Sequence, residues 1–183
     1  PSASLQLNAD VAAAWRKYKK ATVLAPYIDI QKTPEVTAPR VASAPRGAIV
    51  VALGKPAEDG WVKVGLTGGE VGYTRASYLG DVVNDWTQLK ESDMRWNIVE
   101  TALSYNGASY RIGGRTPLGI DGVGLVAMSY CMNGVQVPRT PFLKQGGSMH
   151  KIKFENMDEG DVLYFSSGIG IYIADNFTAV KRK

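Results

Sequence analysis

Gly119-Ile120-Asp121-Gly122-Val123-Gly124-Leu125-Val126 is the stretch whose reading decides the fold of the second half of this chain. Apolar side chains recur from it at Leu125, Val126, Met128 and Met132. This spacing predicts a helix over Gly122–Met132 with those residues facing a core, ended by Asn133-Gly134. Upstream, Ile112-Gly113-Gly114 through Pro117 and Gly119 reads as a glycine-rich loop. Gly113-Gly114 is a backbone turn needing positive φ; no Lys-Ser/Thr follows, so it is not a phosphate loop. Before the loop, Met94, Ile98, Val99, Ala102, Leu103 and Tyr105 predict a helix over Asp93–Tyr105, closed by Asn106-Gly107. After it come two strand candidates, Asp161–Phe165 and Ile169–Ile173. Helices followed by strands make an α+β order, not the alternation of a parallel sheet.

Farther out, the texture changes. Thr22 to about Asp81 carries short segments rich in β-formers: Thr22–Leu24, Ala48–Leu53, Trp61–Leu66 and Val71–Tyr73. Glu58-Asp59-Gly60 and Thr67-Gly68-Gly69 are turn signals between them. Trp61-Val62-Lys63-Val64 alternates, so one face is buried, and Trp61 and Tyr73 are expected as large plugs of a small core. Five prolines from Pro26 to Pro56 confine Tyr27–Pro45 to an irregular excursion or edge. Several short strands in so short a region predict a small closed or nearly closed barrel. Asn8–Lys20 reads as a leading helix with Asn8 as N-cap. The expected organisation is therefore an N-terminal helix (1–21), an all-β module (22–81), a polar connection, and an α+β domain (90–183).

Composition narrows the classes of function. The 183 residues are 45% hydrophobic and 21% charged, ordinary globular fractions that exclude a disordered tail or a coiled coil. No run approaches the ~18 apolar residues of a membrane span. With one cysteine (Cys131) and one histidine (His150), no Cys/His metal cage and no intramolecular disulfide are possible, and no cofactor is expected. Lys+Arg 21 against Asp+Glu 17 gives a net charge of +4. The runs Arg16-Lys17-Tyr18-Lys19-Lys20 and Lys181-Arg182-Lys183 read as solvated faces or as attraction to an anionic polymer. No zinc-finger, homeodomain or RNA-binding signature accompanies them, so nucleic acid is not an expected partner. The chain opens at Pro1 with no basic-then-apolar leader, the expectation for a mature or trimmed form.

Two resemblances follow from these residues. Asp59-Gly60-Trp61-Val62-Lys63-Val64, Val71-Gly72-Tyr73 and Ala76-Ser77-Tyr78-Leu79 resemble a bacterial SH3-like domain. From Asp93 onward the chain resembles the NlpC family of cell-wall cysteine peptidases. The matching motifs are Tyr105–Gly114, Gly119–Val126, Gly134 with Val137–Thr140, Gln145, Glu159–Phe165 and Gly168–Ile173. The resemblance implies a papain-like α+β fold preceded by the small SH3-like barrel. It also implies an extracytoplasmic place at a bacterial cell wall and peptidoglycan stem peptides or muropeptides as ligands. The family's reaction is cleavage of the γ-D-glutamyl to diamino-acid bond.

The same resemblance locates the chemistry. Family members carry Asp-Cys-Ser-Gly-Leu where this chain has Asp121-Gly122-Val123-Gly124-Leu125, so the nucleophilic Cys position holds Gly122. Such a nucleophile at a helix start is favoured as thiolate by the unpaired N–H groups there. The general-base His position holds Gly168, and the third, orienting position aligns with about Ala179. The expected function is thus a catalytically inactive module that binds stem peptides or a protein partner. The alternatives are an active γ-D-glutamyl-L-diamino-acid endopeptidase with altered site residues, and an architectural protein. Three residues are candidate ligand contacts. Asp121 matches a residue that helps hold the free amine of the stem peptide's L-Ala, or it simply caps the helix. Tyr110 matches a tyrosine bordering the active site, or lines the core. Arg139 reaches a substrate carboxylate, or pairs with Asp161 or Glu159. Cys131, nine positions beyond Gly122, is expected as a small buried hydrophobe, and His150 as a surface or loop residue. The family's domain usually continues past the third catalytic position, so the expectation is either that the last element is missing from this sequence or that the fold is shortened, with an exposed edge near Phe177–Val180.

Overall fold

The computed structural model describes residues 9–137 and 149–173. Asn8, Arg139, Gln145, Ser148 and the segment around Ala179 lie outside the described residues. The chain divides into two compact units, with the boundary between Val82 and Val83.

In the first unit a short helix, α1 (Ala9–Lys17), precedes seven strands: β1 (Lys20–Val23), β2 (Tyr27–Gln31), β3 (Arg40–Pro45), β4 (Ile49–Ala52), β5 (Trp61–Gly65), β6 (Val71–Arg75) and β7 (Leu79–Asp81). The helix stops short of the expected Lys20 because that residue already pairs with Val51 in β1. All seven strands join one antiparallel sheet in the order β3-β2-β6-β5-β4-β1-β7. The segment Tyr27–Pro45 is more regular than its prolines led us to expect. Pro34 and Pro39 sit in the connection, leaving β2 and β3 to pair from Tyr27↔Pro45 to Gln31↔Arg40. Strand β3 is an edge, where a missing N–H is tolerated.

The core of this unit is aliphatic: Ala21, Val23, Ile28, Ile30, Ala44, Val50, Val62 and Val64. That corrects the expectation for Trp61 and Tyr73. Val62 and Val64 point into the core, so Trp61, one residue out of phase, lies on the other face of β5. It is buried there (7% exposed) beneath the Arg75 guanidinium, 4.2 Å from the ring centroid. Arg75 is held in place by donating to the Asp59 carbonyl at 2.7 Å. Tyr73 is half-buried.

The second unit contains α2 (Glu91–Leu103), the two-residue strands β8 (Arg115–Thr116) and β9 (Gly119–Ile120), α3 (Gly122–Cys131), β10 (Val162–Phe165) and β11 (Gly168–Ile171). Helix α3 packs against both α2 and β11. Ile98 of α2, Val126 and Tyr130 of α3, Val135 and Ile169 of β11 form the buried cluster, with Met94, Val123 and Val162 against it. The buried stripe of α3 is Val126, Ser129 and Tyr130, while Leu125, Met128 and Met132 are only half-buried. The helix is therefore rotated relative to the face its aliphatic spacing predicts. The side chain that decides the rotation is Tyr130, whose hydroxyl donates to the Gly160 carbonyl at 2.6 Å inside the core. Cys131 falls one position past the stripe and is exposed, not buried as expected.

Candidate active site

The site is assembled at the start of α3 from three pieces: the loop 110–120, the helix start, and β11. Ile120 organises the loop. Its carbonyl accepts from the Arg111 N–H at 3.1 Å, its N–H donates to the Ser109 carbonyl at 3.0 Å, and Arg115 pairs with it across the β8–β9 ladder. Tyr110 forms an isolated bridge to the same residue, and its side chain stands 77% exposed.

Asp121 joins loop to helix. It is extended (φ −106, ψ 171) as an N-cap must be. Oδ1 accepts from the Gly124 N–H and Oδ2 from the Gly113 N–H, both at 2.6 Å. One carboxylate oxygen caps α3 and the other pins the glycine turn. Gly113 has φ +79, the left-handed conformation that its place in that turn requires.

Gly122 opens the helix, where unpaired N–H groups and the helix dipole would favour an anionic thiolate. Any Cβ there would collide with the carbonyl oxygen of Ile169 in β11. The obstacle is backbone inside a paired strand, since Ile169 sits opposite Tyr164. It cannot swing aside as the tip of a side chain would. Gly124 and Gly114 repeat the arrangement: the Gly114 carbonyl fills the Cβ position of Gly124, and the Gly119 carbonyl fills that of Gly114. Loop, helix start and strand therefore approach each other at backbone distance. Gly168, at the start of β11, is the opposite case. It is exposed, and nothing lies within 4 Å of where its Cβ would be.

Behind the site, Arg95 of α2 donates to Asp161 Oδ1 at 2.8 Å, to the Glu159 carbonyl at 3.0 Å and to Glu91 at 2.9 Å. Burial opposes its charge, but the hydrogen bonds to Asp161 and Glu91 outweigh that and raise its pKa. Burial, followed by the negative charge of Asp161, pushes the Tyr130 phenol up to about 12. These groups anchor β10 and α3 and stand apart from Gly122 in role.

The structure thus brings Tyr110, Asp121 and Gly122 together on one loop–helix junction and sets Gly168 at the start of the strand that covers it. Arg139 and Ala179 lie outside the described residues. Ser129 is fully buried in the α3 stripe. His150 is exposed. Among the described residues no group of three or more His, Cys, Asp or Glu is placed to hold a metal ion. Reading the sequence missed two features of this region. One is the Ile169 carbonyl, a backbone atom with no sequence signal. The other is the pair Arg111 and Arg115, whose spacing around Gly113-Gly114 was the available clue.

A glycine-rich loop, a carboxylate-capped helix start and an antiparallel hairpin over it make up an α+β domain. Residues 107–180 match the model of the NlpC/P60 family, and this part of the chain belongs to that family. It is 32% identical over 149 residues to dipeptidyl-peptidase 6 of Lysinibacillus sphaericus, covering 80% of this chain and 55% of that protein. It is 30% identical over 96 residues to a murein DD-endopeptidase/murein LD-carboxypeptidase of Escherichia coli strain K12, covering 48% of this chain and 50% of that one. The chain spans about half the length of these curated relatives. A crystal structure of an NlpC/P60 family protein from Bacillus cereus superposes with a TM-score of 0.77 at 17% identity, over 96% of this chain and 58% of that one. That likeness supports the fold.

Proposed function

We propose that this chain works outside the cytoplasm at a bacterial cell wall, binding peptidoglycan stem peptides or a protein partner, without cleaving the γ-D-glutamyl bond. The observation that carries the reading is the occupied niche at Gly122. A cysteine-peptidase reaction needs a thiolate to attack the amide carbon, an imidazole to protonate the leaving amine and donors to hold the oxyanion. Gly122 offers no nucleophile, and the Ile169 carbonyl takes the space one would need. Gly168 offers no imidazole. The N–H groups at the start of α3 keep some capacity to hold an oxyanion. In serine proteases stripped of their triad such donors leave roughly 10³–10⁴-fold over water, too little to turn over an amide in an ordinary assay.

Asp121 and Tyr110 are the ligand contacts in this reading, with Arg139 as a third. In this reading the first unit, near residues 22–81, is an SH3-like barrel, supported by its seven short antiparallel strands, and residues 90–183 are an NlpC-type domain. The names of the relatives favour a second reading, an active peptidase, because each is a peptidase by name. Incubating the purified chain with a stem tetrapeptide and separating the products by chromatography decides between them. We expect only intact tetrapeptide. Cleavage that persists after alkylation of Cys131 would establish a nucleophile elsewhere and overturn the proposal.

A further inference from the structure

The loop that carries Tyr110 also borders an open pocket of about 390 Å³, lined by Arg111, Ile112, Arg115, Thr116 and the side-chain-free surfaces of Gly113, Gly114 and Gly119. Among the described residues, four other arginines are committed to structure. Arg40 pairs with Asp29, Arg46 donates to the Leu24 carbonyl, Arg75 covers Trp61, and Arg95 pairs with Asp161. Arg111 and Arg115 differ. Both are exposed, and among the described residues neither guanidinium is in an ion pair. Ile120 positions both, through its bond from the Arg111 N–H and its pairing with Arg115. Gly119 lets the Arg111 stem lie flat, since a Cβ there would come 2.9 Å from Arg111 Cβ and 3.0 Å from Cδ. Asp121, at the end of the same loop, has an oxygen committed to each of the Gly113 and Gly124 N–H groups. Ile112 and Leu118, 84% and 70% exposed, give the neighbourhood an apolar rim.

We infer that this pocket is an anion subsite that takes a carboxylate of a bound peptide between Arg111 and Arg115, with Thr116 as an added hydroxyl donor and Ile112 and Leu118 meeting the adjoining apolar part. Two arginines lining one pocket whose remaining wall is largely glycine fit a planar, bidentate oxyanion better than a neutral amide. The inference rests on the peptide-binding reading above for the identity of the ligand, but the pocket itself does not depend on catalysis. Because both arginines are exposed, the interaction is screened by salt and sits at the low end of charge-assisted bonds.

Calorimetric titration of the whole chain tests it, with L-Ala-γ-D-Glu-diamino-acid peptide as the free acid and as its carboxamide, and with glutarate and inorganic phosphate as bare probes. The free acid is expected to bind about tenfold tighter than the carboxamide. Arg111→Gln and Arg115→Gln should each erase most of that difference while leaving the circular dichroism spectrum unchanged. Equal affinity for acid and carboxamide, or Gln variants that bind like the parent, would overturn the subsite and leave peptide binding standing. Arginine-dependent binding of glutarate without any peptide binding would keep the subsite and overturn the peptide reading. Phosphate bound more tightly than glutarate would overturn the commitment to a carboxylate. No heat with any probe would overturn both proposals.

Discussion

The carbonyl oxygen of Ile169 stands where a Cβ on Gly122 would have to be. Two residues far apart in sequence thereby share one niche, and the glycine is a condition of the packing between α3 and β11.

Gly122→Cys is therefore expected to be destabilising and inactive. Forcing a side chain against backbone costs roughly 1–3 kcal/mol, as overpacking does. Gly168→His meets nothing within 4 Å and is expected to stay within about 0.5 kcal/mol of the parent. Urea unfolding of the two variants checks the contrast. A stable Gly122→Cys protein would mean that β11 gives way more readily than the packing indicates.

Asp121→Ala removes the acceptor for two N–H groups at once, those of Gly113 and Gly124. The lost cap alone costs about 0.5–2 kcal/mol. Asp121→Asn, which keeps one acceptor oxygen, is expected to lose less. Thermal unfolding should rank the parent above Asn and Asn above Ala. Amide hydrogen exchange should accelerate at Gly113 and Gly124 in the Ala variant.

Alkali should unfold the second unit through Tyr130. An unfolded phenol titrates near ~10, whereas the buried one is raised to about 12. Between those values the unfolded chain has lost the proton and the folded chain has kept it. Stability is complete below about pH 10 and falls as pH climbs toward 12. Phenolate absorbance during alkaline titration should show one late tyrosine that appears together with unfolding. Tyr130→Phe should flatten that slope at the expense of its bond to the Gly160 carbonyl.

In the first unit, Ile30→Ala should cost about 2–5 kcal/mol, because Ile30 is fully buried among aliphatic neighbours. Tyr73→Ala, on the other face of the sheet, should cost clearly less. Reversal of that order in chemical denaturation would restore the aromatic core that the sequence pattern first implied.

Much of this was legible before the structure. The glycines after Leu103 and Cys131, and the apolar spacing between, place α2 and α3 within two residues of their observed ends, because caps and breakers act locally. The face of Trp61 was misread although the clue was present: it shares its phase with Lys63, and a strand face that carries a solvated lysine is not the face of the aliphatic core. Pairing of β2 with β3 was hidden because prolines mark where a strand breaks, not what it pairs with across the break. At the site, the cap was one of the two roles the sequence offered for Asp121, and the structure shows it. The Ile169 carbonyl could not be read, since backbone proximity between residues 122 and 169 is set by packing alone. The placing of Arg111 and Arg115 on one pocket depends likewise on Ile120, which accepts from the Arg111 N–H and pairs with Arg115.

Native mass spectrometry of the chain mixed with an L-Ala-γ-D-Glu-diamino-acid peptide tests the central claim most directly, because it reports retention and cleavage in one spectrum. The account predicts a one-to-one complex carrying the intact peptide mass, unchanged on prolonged incubation and unaffected by alkylation of Cys131. Free L-Ala-γ-D-Glu and diamino acid accumulating from the alkylated protein would contradict it.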